Sequence, residues 1–474
     1  MRKFITIILF VFVLSTSSYA ATELSLHKCI ELTKLNNKRL IQADLEVKQY
    51  KQDYNNVRGR LFPQLSLSAG YQYKKTELPE SAQMESSDLT TMLDSLVGGA
   101  TANNEILYGN DQIIAGYVDG ALNNLMPSSV QKERSAFAQI KLDQVIFMGG
   151  KLINGINVAS KLYHLQEKKY FLTKQDVIYD AIANYYSTKL ARMVWKIKRE
   201  ALSTAQKHYE QVEAMYAQGL VSEYDKLRAN LEVKQLKPQV LDAKKNYQLA
   251  LKNLKNYVGI SDTTDLFLTT DISLPSIEVE YNKAIEEGLQ NRIELELADL
   301  NVEVNKVNYR YEKGNFLPQI GFSAEYNYFG QNESRIESED WGNYYQLGVG
   351  FSMPLFTGLS NTAKKAKARH ALKQAKISRQ DLREKIGLDI KNSVLQVQSD
   401  LENVESQKEN VQLAQKALNI AETRYENQLA NQLEVFDAQL NLQSAKLSHL
   451  NAVYKVIMSY EKLKKAIGRK LYQE

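Results

Sequence analysis

The sequence predicts a mainly α-helical fold with a small membrane-type β part, laid out as two copies of one unit. Three observations carry that prediction: an internal duplication, two long runs almost free of helix breakers, and short alternating segments at matching places in both copies. Asn36 to Tyr73 matches Asn291 to Tyr328 at a constant offset of 255, pairing Asp44/Asp299, Tyr54/Tyr309, Gly59/Gly314, Pro63/Pro318, Gln64/Gln319, Ala69/Ala324 and Tyr71/Tyr326. From Phe147/Phe356 to Gly259/Gly468 the offset is 209. It holds through Gly149/Gly358, Ala205-Gln206-Lys207 against Ala414-Gln415-Lys416, Tyr216/Tyr425 and Leu254/Leu463. The first copy therefore carries 46 residues more than the second (255 minus 209), all between Tyr73 and Phe147. Rigid internal lengths around one elastic segment imply a spatial repeat.

The chain opens on Arg2 and Lys3, an apolar run from Phe4 to Leu14, and a Ser-rich stretch ending Ser18-Tyr19-Ala20. This is the pattern of a secretory signal peptide over residues 1–20, cut after Ala20, so the mature chain is expected to be exported. The apolar run is too short to span a bilayer, and no later stretch approaches the ~20 apolar residues of a membrane helix. Any membrane part must then be made of strands. The single cysteine, Cys29, allows no intramolecular disulfide, and its neighbours Leu26, Ile30 and Leu32 place it on the buried face of a helix.

Between Lys151 and Gln218, and again between Leu359 and Ala430, there is one glycine (Gly155, Gly387) and no proline. Each run fits one helix of about 65 residues, close to 100 Å at ~1.5 Å per residue. Ile390, Val397, Val404, Val411, Leu418 and Tyr425 fall seven apart, with Val394 and Leu401 on a second seam. Leu433, Leu440, Leu447 and Tyr454 repeat the step on the returning segment, beside Phe436, Leu450 and Ile457. Sevenfold spacing predicts coiled-coil packing. Pro238 falls inside the returning helix of the first copy and predicts a kink or break there.

After each copy's leading helix comes a proline, then alternation. Leu65, Leu67, Ala69, Tyr71 and Tyr73 share one face, as do Ile320, Phe322, Ala324, Tyr326 and Tyr328. Ala136, Ala138, Ile140 and Leu142, then Tyr345, Leu347, Val349, Phe351 and Met353, form the returning strands. Polar residues take the opposite face, the pattern of strands that turn one side to lipid and the other to a lumen. Four strands cannot close a barrel, and an open edge cannot lie in hydrocarbon. The chain must then oligomerise, and three copies give a twelve-stranded barrel. Two short helices laid end to end match one long helix in length, twice per chain, which makes the wall of a helical tube. Heptads and export alone leave an alternative, an exported coiled-coil periplasmic adaptor or scaffold without a membrane barrel.

The order of these motifs resembles the outer-membrane efflux protein family, the TolC-like channels. Leu24-Ser25-Leu26 before Asn36-Asn37 resembles the family's opening helix, and Tyr281-Asn282-Lys283-Ala284 before Leu289-Gln290-Asn291-Arg292 its second counterpart. Leu61-Phe62-Pro63-Gln64-Leu65 and Phe316-Leu317-Pro318-Gln319-Ile320 resemble the leads into its strands. Val145-Ile146-Phe147 and Pro354-Leu355-Phe356-Thr357-Gly358 resemble the exits, and Tyr216 to Val221 the helix tip. The resemblance implies a homotrimeric outer-membrane β-barrel continued into the periplasm as an α-barrel. It implies the exit duct of a tripartite efflux pump or type I secretion system. Its partners would be a periplasmic adaptor, an inner-membrane RND or ABC transporter and outer-membrane lipid.

The expected layout is a first repeat over 21–260, with helices 24–60 and 151–260, strands 61–73 and 135–147 and an extracellular loop 74–134. A linker spans 261–278. The second repeat spans 279–474, with helices 280–315 and 359–468 and strands 316–329 and 343–356. In the family, acidic residues just past the periplasmic helix turns ring the aperture, which here implies Asp225, Glu434 and Asp437, with Tyr425 as the aromatic partner. Three chains would bring nine such carboxylates near one axis, although acids in a first helical turn are also favoured by the helix dipole. Gly219, Leu220 and Val221, with Gln428, Leu429 and Ala430, would form the tips that meet an adaptor. The sequence departs from the family here, with Gln428 for a glycine and Ala430 for the gating arginine.

The five histidines (27, 164, 208, 370 and 449) are scattered and read as helix-surface residues, with no HExxH, Cys-His set or nucleophile elbow. No enzyme, cofactor or metal site is expected. Lys364, Lys365, Lys367 and Arg369 form a basic run, but export and a net charge of only +5 make it a solvated helix start rather than a nucleic-acid surface.

Overall fold

The computed structural model describes residues 22–76, 131–274, 277, 280–332, 335–427, 429–469 and 471. The signal peptide, Gln428 and nearly all of the expected loop 74–134 lie outside the described residues. The elements follow in chain order as β1 (Thr22–Leu24), α1 (Leu26–Asn36), α2 (Lys38–Gly59), β2 (Gln64–Thr76), β3 (Gln131–Met148), α3 (Lys151–Ala217) and α4 (Glu223–Val258). After them come β4 (Leu266–Leu268), α5 (Tyr281–Asn291), α6 (Ile293–Lys313), β5 (Gln319–Asn332), β6 (Trp341–Ser352), α7 (Ser360–Glu426) and α8 (Gln432–Ala466). The described residues form two compact units that each draw on both copies. One holds residues up to Val57, Asn154–Glu312 and the chain from Thr362 on, and the other Arg58–Ile153 with Lys313–Asn361.

The second unit is a four-stranded antiparallel sheet in the order β2-β3-β5-β6. Its strands begin and end a few residues from the expected limits, because Pro63 and Pro318 precede the first ladder residues, Gln64 and Gln319. The two hairpins share one register. Leu65 opposite Leu142 becomes Ile320 opposite Phe351 under the two offsets, and Tyr71 opposite Ala136 becomes Tyr326 opposite Tyr345. Leu67, Ile140, Tyr326 and Tyr345 therefore line up in one row across the sheet. That face is open, with Leu67 74% and Tyr345 78% exposed. Ser66, Lys141, Glu325 and Gln346 form a row of the opposite, polar face.

The first unit is built on helices. α3 and α7 each run 67 residues. Its cores are duplicated like the sequence. Cys29, Tyr185, Leu254 and Val258 cluster in one copy, and Ala284, Val394, Leu463 and Ile467 occupy the same four places in the other. Burial of Cys29 pushes its thiol up to about 12. The leading helix expected over 24–60 is divided at Asn37, whose extended backbone lets its Oδ1 accept from Arg39 N (3.0 Å) while its Nδ2 donates to the Tyr257 carbonyl (3.2 Å). Arg292, at the same repeat position, divides α5 from α6. The stretch read as a linker contains β4, which pairs in parallel with β1, and neither three-residue strand was expected.

Two further expectations need correction. The buried stripe of α8 runs through Val435, Leu442, Leu450, Val456 and Ile457, whereas Leu433 and Leu440 are exposed. The helix carries two apolar heptad phases, and spacing alone does not say which one faces the core. The break expected at Pro238 is also absent, since α4 runs continuously through it. Both Pro238 and Lys234 are exposed, so water can satisfy the Lys234 carbonyl that the proline leaves without a donor.

Gly259 and Gly468 both hold positive φ (78° and 71°). A Cβ there would come within 2.6 Å of Asn36 and 2.8 Å of Asn291 respectively. Gly259→Ala and Gly468→Ala should each destabilise by about 2 kcal/mol. Gly387→Ala, in a helix with open space around it, should stabilise by about 1 kcal/mol. Thermal unfolding followed by circular dichroism in detergent distinguishes these signs. Pro238→Ala should raise the same midpoint, by the equivalent of about 1–3 kcal/mol, because it restores a helical hydrogen bond at an exposed position. A lowered midpoint would show that the proline's geometry is required.

Candidate functional site

The two turns that join the long helices to their returning partners are built alike. At the end of α3, Gly219 takes a left-handed conformation (φ 72°). Gly219 N donates to Tyr216 O (2.9 Å) and Leu220 N to Met215 O (3.0 Å). This pairing satisfies carbonyls that a helix end leaves free. At the end of α7 the same reach recurs 209 residues later, from Leu429 N to Arg424 O at 2.8 Å. Both returning helices are capped. Ser222 and Asp225 form a capping box, in which Ser222 Oγ accepts from Asp225 N (3.2 Å) and Ser222 N donates to Asp225 Oδ2 (3.1 Å). In the second turn Asn431 Oδ1 accepts from Glu434 N at 3.0 Å.

Each turn is also braced by an ion pair, but not at equivalent positions. Glu213 and Lys226 meet at 3.0 Å in the first, and Lys226 Nζ lies 5.2 Å from the centre of the Tyr216 ring. The Lys226 hydrogen bond holds Glu213 below the usual carboxylate range. In the second turn Arg424 pairs with Glu434 at 3.1 Å, and its Nη2 donates to the Leu429 carbonyl at 3.2 Å. The cation sought in sequence at Ala430 is thus found on the other side of the turn. Its signal was a basic residue in the last turn of a helix, where the dipole favours one.

The expected aperture residues are in three different situations. Asp225 is turned onto its own backbone, Glu434 is held by Arg424, and Asp437 is exposed with no hydrogen bond or ion pair among the described residues. Tyr425 is half-buried. Burial, and then the charge of Asp225, push its hydroxyl above the ordinary phenol range, which brings a residue of each turn together. At the tips, Leu220, Leu429 and Gly219 are exposed, and Val221 and Ala430 are partly covered.

His208 is not the surface residue expected. It is buried on α3, with its ring 5.5 Å from that of Tyr425 and 5.2 Å from that of Phe436. Its Nε2 lies 3.3 Å from the buried Gln432 amide, whose Oε1 has no other partner. With the ring proton on Nδ1, that Nε2 accepts from Gln432 Nε2, while Gln432 Oε1 stays unpaired among the described residues. The apolar residues around it in the heptad pattern were the only sequence hint that position 208 lies inside. Among the described residues, no group of three or more histidine, cysteine, aspartate or glutamate side chains is placed to hold a metal ion.

The family model described as Outer membrane efflux protein matches residues 115–260 and 284–469. This chain belongs to the outer membrane efflux protein family. Its family is one of outer-membrane channels rather than enzymes, and it is placed in a Gram-negative outer membrane and the adjoining periplasm. It is similar to the outer membrane protein TolC of Vibrio cholerae, 20% identical over 334 residues, 70% of this chain and 76% of that protein. The outer membrane efflux protein BepC of Brucella suis is 23% identical over 337 residues, 70% of this chain and 71% of that protein. Among solved structures, the open state of the Neisseria gonorrhoeae MtrE outer membrane channel superposes with a TM-score of 0.70 at 15% identity, covering 94% of this efflux protein and 89% of that chain. No described helix is long and apolar enough to cross a membrane.

Burial pushes the His208 imidazole below its ordinary value. The groups facing it, Tyr425, Phe436 and Gln432, hold no anion to stabilise a proton. The unfolded chain then binds a proton before the folded one does. Stability at the tips should be full above about pH 6.5 and fall as the pH drops below it towards the depressed folded value. Hydrogen exchange of the turn amides between pH 7.5 and 5, set at roughly those values around the imidazole range, should show faster opening at the acid end. His208→Phe should flatten the profile, and an unchanged profile would assign the opening to another group.

Proposed function

We propose that three copies of this chain close a twelve-stranded barrel and serve as the exit duct of a tripartite efflux pump or type I secretion system. The duct is a passive conduit, gated where the helix turns converge at its periplasmic end. The observation that carries this reading is the four-stranded sheet, apolar and open on one face, polar on the other and, among the described residues, unpaired at both edges. Such a sheet is complete only when further strands cover its edges and lipid covers its apolar face. The apolar tips Leu220, Val221 and Leu429, with Ala430 and Gly219, suit an adaptor protein bridging to an inner-membrane RND or ABC transporter. Gln428, the remaining expected tip residue, lies outside the described residues.

The gate rests on the acids past the turns. Arg424 neutralises Glu434 within its own chain, which leaves Asp437 as the carboxylate free to face its counterparts across the axis. Asp225 contributes charge beside Tyr425. Like charges a few ångströms apart in a constricted lumen are costly, and a divalent cation shared among carboxylates relieves them. The related MtrE channel has been solved in an open state, which supports a duct of this kind having one.

Single-channel recording in a planar bilayer tests both parts. The purified protein should conduct ions, and divalent cation added on the periplasmic side should block it. Asp437→Asn should abolish most of the block, and Arg424→Ala should deepen it by freeing Glu434. Channels insensitive to divalent cations would overturn the acidic gate and leave the duct standing. A protein that forms no channel and is a monomer in detergent would overturn the duct itself.

A further inference from the structure

The duplication specifies how neighbouring copies join, given the reading above that copies of this chain close a barrel. The sheet has three ladders. The two hairpin ladders are the same ladder twice, related by the offsets of 209 and 255 residues. The middle ladder, β3 with β5, joins the end of the first copy to the start of the second. Its counterpart must join the end of the second copy to the start of the first, and within one chain these are the two open edges, β6 and β2.

We propose that β6 of one chain pairs antiparallel with β2 of the next, in the register of β3 and β5 carried over by the two offsets. Ala138 opposite Tyr328, moved up by 209 and down by 255, becomes Leu347 opposite Tyr73. Ile140 opposite Tyr326 becomes Val349 opposite Tyr71, and Leu142 opposite Ala324 becomes Phe351 opposite Ala69. Three observations support this register over its alternatives.

The first is face matching. The register sets apolar residues against apolar ones, and Gly348 against Gln72 and Ser352 against Ser68 on the polar side. A slip of one residue would turn one strand's apolar set to the wrong face. The second is the bulge. In β3 the register shifts between Val145 and Phe147, leaving Ile146 as the extra residue. Its counterpart is Leu355, 91% exposed, and Pro354 stands at the place of Val145. Proline is accommodated in sheets at edges and bulges, because it has no N–H to give the ladder.

The third is a glycine contact made once where the sequence provides for it twice. Gly149, leaving β3, and Gly314, before β5, are pressed together, so that a Cβ on Gly314 would lie 2.6 Å from the Gly149 carbonyl oxygen. Their counterparts are Gly358, leaving β6, and Gly59, before β2. Gly358 keeps the left-handed backbone of Gly149 (φ 57° against 60°). Yet among the described residues of the single chain, apart from their own adjoining backbone, neither Gly59 nor Gly358 has an atom within 4 Å of where a Cβ would stand. The next copy supplies the missing contact, Gly358 of one chain against Gly59 of the other.

Cysteine pairs test the register directly, since Cys29 is the chain's only cysteine and is buried. Leu347→Cys with Tyr73→Cys, and separately Gly348→Cys with Gln72→Cys, cover both kinds of opposed pair in an antiparallel ladder. Oxidation in the outer membrane should give covalent dimer and trimer on denaturing gels, with nothing larger. Leu347→Cys with Tyr71→Cys should stay monomeric on the same gels, because diagonal partners are too far apart for a disulfide. Cross-linking of that slipped pair, or of no pair in a protein that is still trimeric, would overturn the register. A monomer by light scattering in detergent would overturn the barrel reading instead. Gly59→Ala gives a second readout. The change suits a helix end in the single chain, so loss of most of the trimer with retained helicity supports the glycine contact, and undiminished trimer overturns it.

Discussion

A backbone amide left unpaired in hydrocarbon costs several kcal/mol, and the outer strands of this sheet each present a row of them. The rest of the molecule is arranged around that constraint. The apolar row through Leu67, Ile140, Tyr326 and Tyr345 is open among the described residues, a face that suits lipid. The polar row behind it suits only a wet interior. Neither face can be exchanged for the other without a register slip. On the proposed reading, strands of neighbouring copies complete the sheet's edges, and its hydrogen bonding sets the geometry of that pairing.

The helical unit obeys a different rule. Its buried residues fall into several separate clusters along the helices rather than one core. The duplicated clusters around Tyr185 and Val394 differ in size, yet Leu254 and Leu463 close both in the same way. Tyr185 also works as a polar tie: its hydroxyl donates to the Leu24 carbonyl (3.0 Å) and accepts from Thr270 N (2.9 Å). It thereby fastens the short β1–β4 pair to a long helix. Val394, at the equivalent place, has no hydroxyl to do so.

Much of this could be read from residues alone, because period, length and repetition are carried by many positions at once. The face pattern from Leu65 to Tyr73 and the long helices fall in this class. What escaped reading depended on single contacts or on a choice between equal patterns. Leu433 and Leu440 are spaced as well as Val435 and Leu442, and only packing separates the two stripes. β1 and β4, at three residues each, are too short for any period. The division at Asn37 comes from one side chain bonding Tyr257, and the brace at the second turn from Arg424 reaching Glu434, contacts that no local pattern announces. The break expected at Pro238 is absent for a related reason, since the proline's cost depends on whether water reaches one carbonyl.

The difference in length between the copies has a consequence of its own. β2 and β3 keep 13 paired residues across a connection of 54 residues, while β5 and β6 keep 12 across one of 8. Chain-closure entropy grows only with the logarithm of length, so the longer connection costs about 2 kcal/mol more. Two or three favourable cross-strand pairs offset that amount. The ladder beneath is thus insulated from what is spliced above it. This connection is the place where the protein can acquire, lose or exchange whole segments over evolutionary time, or be given a foreign epitope in the laboratory, with its strands still meeting residue for residue.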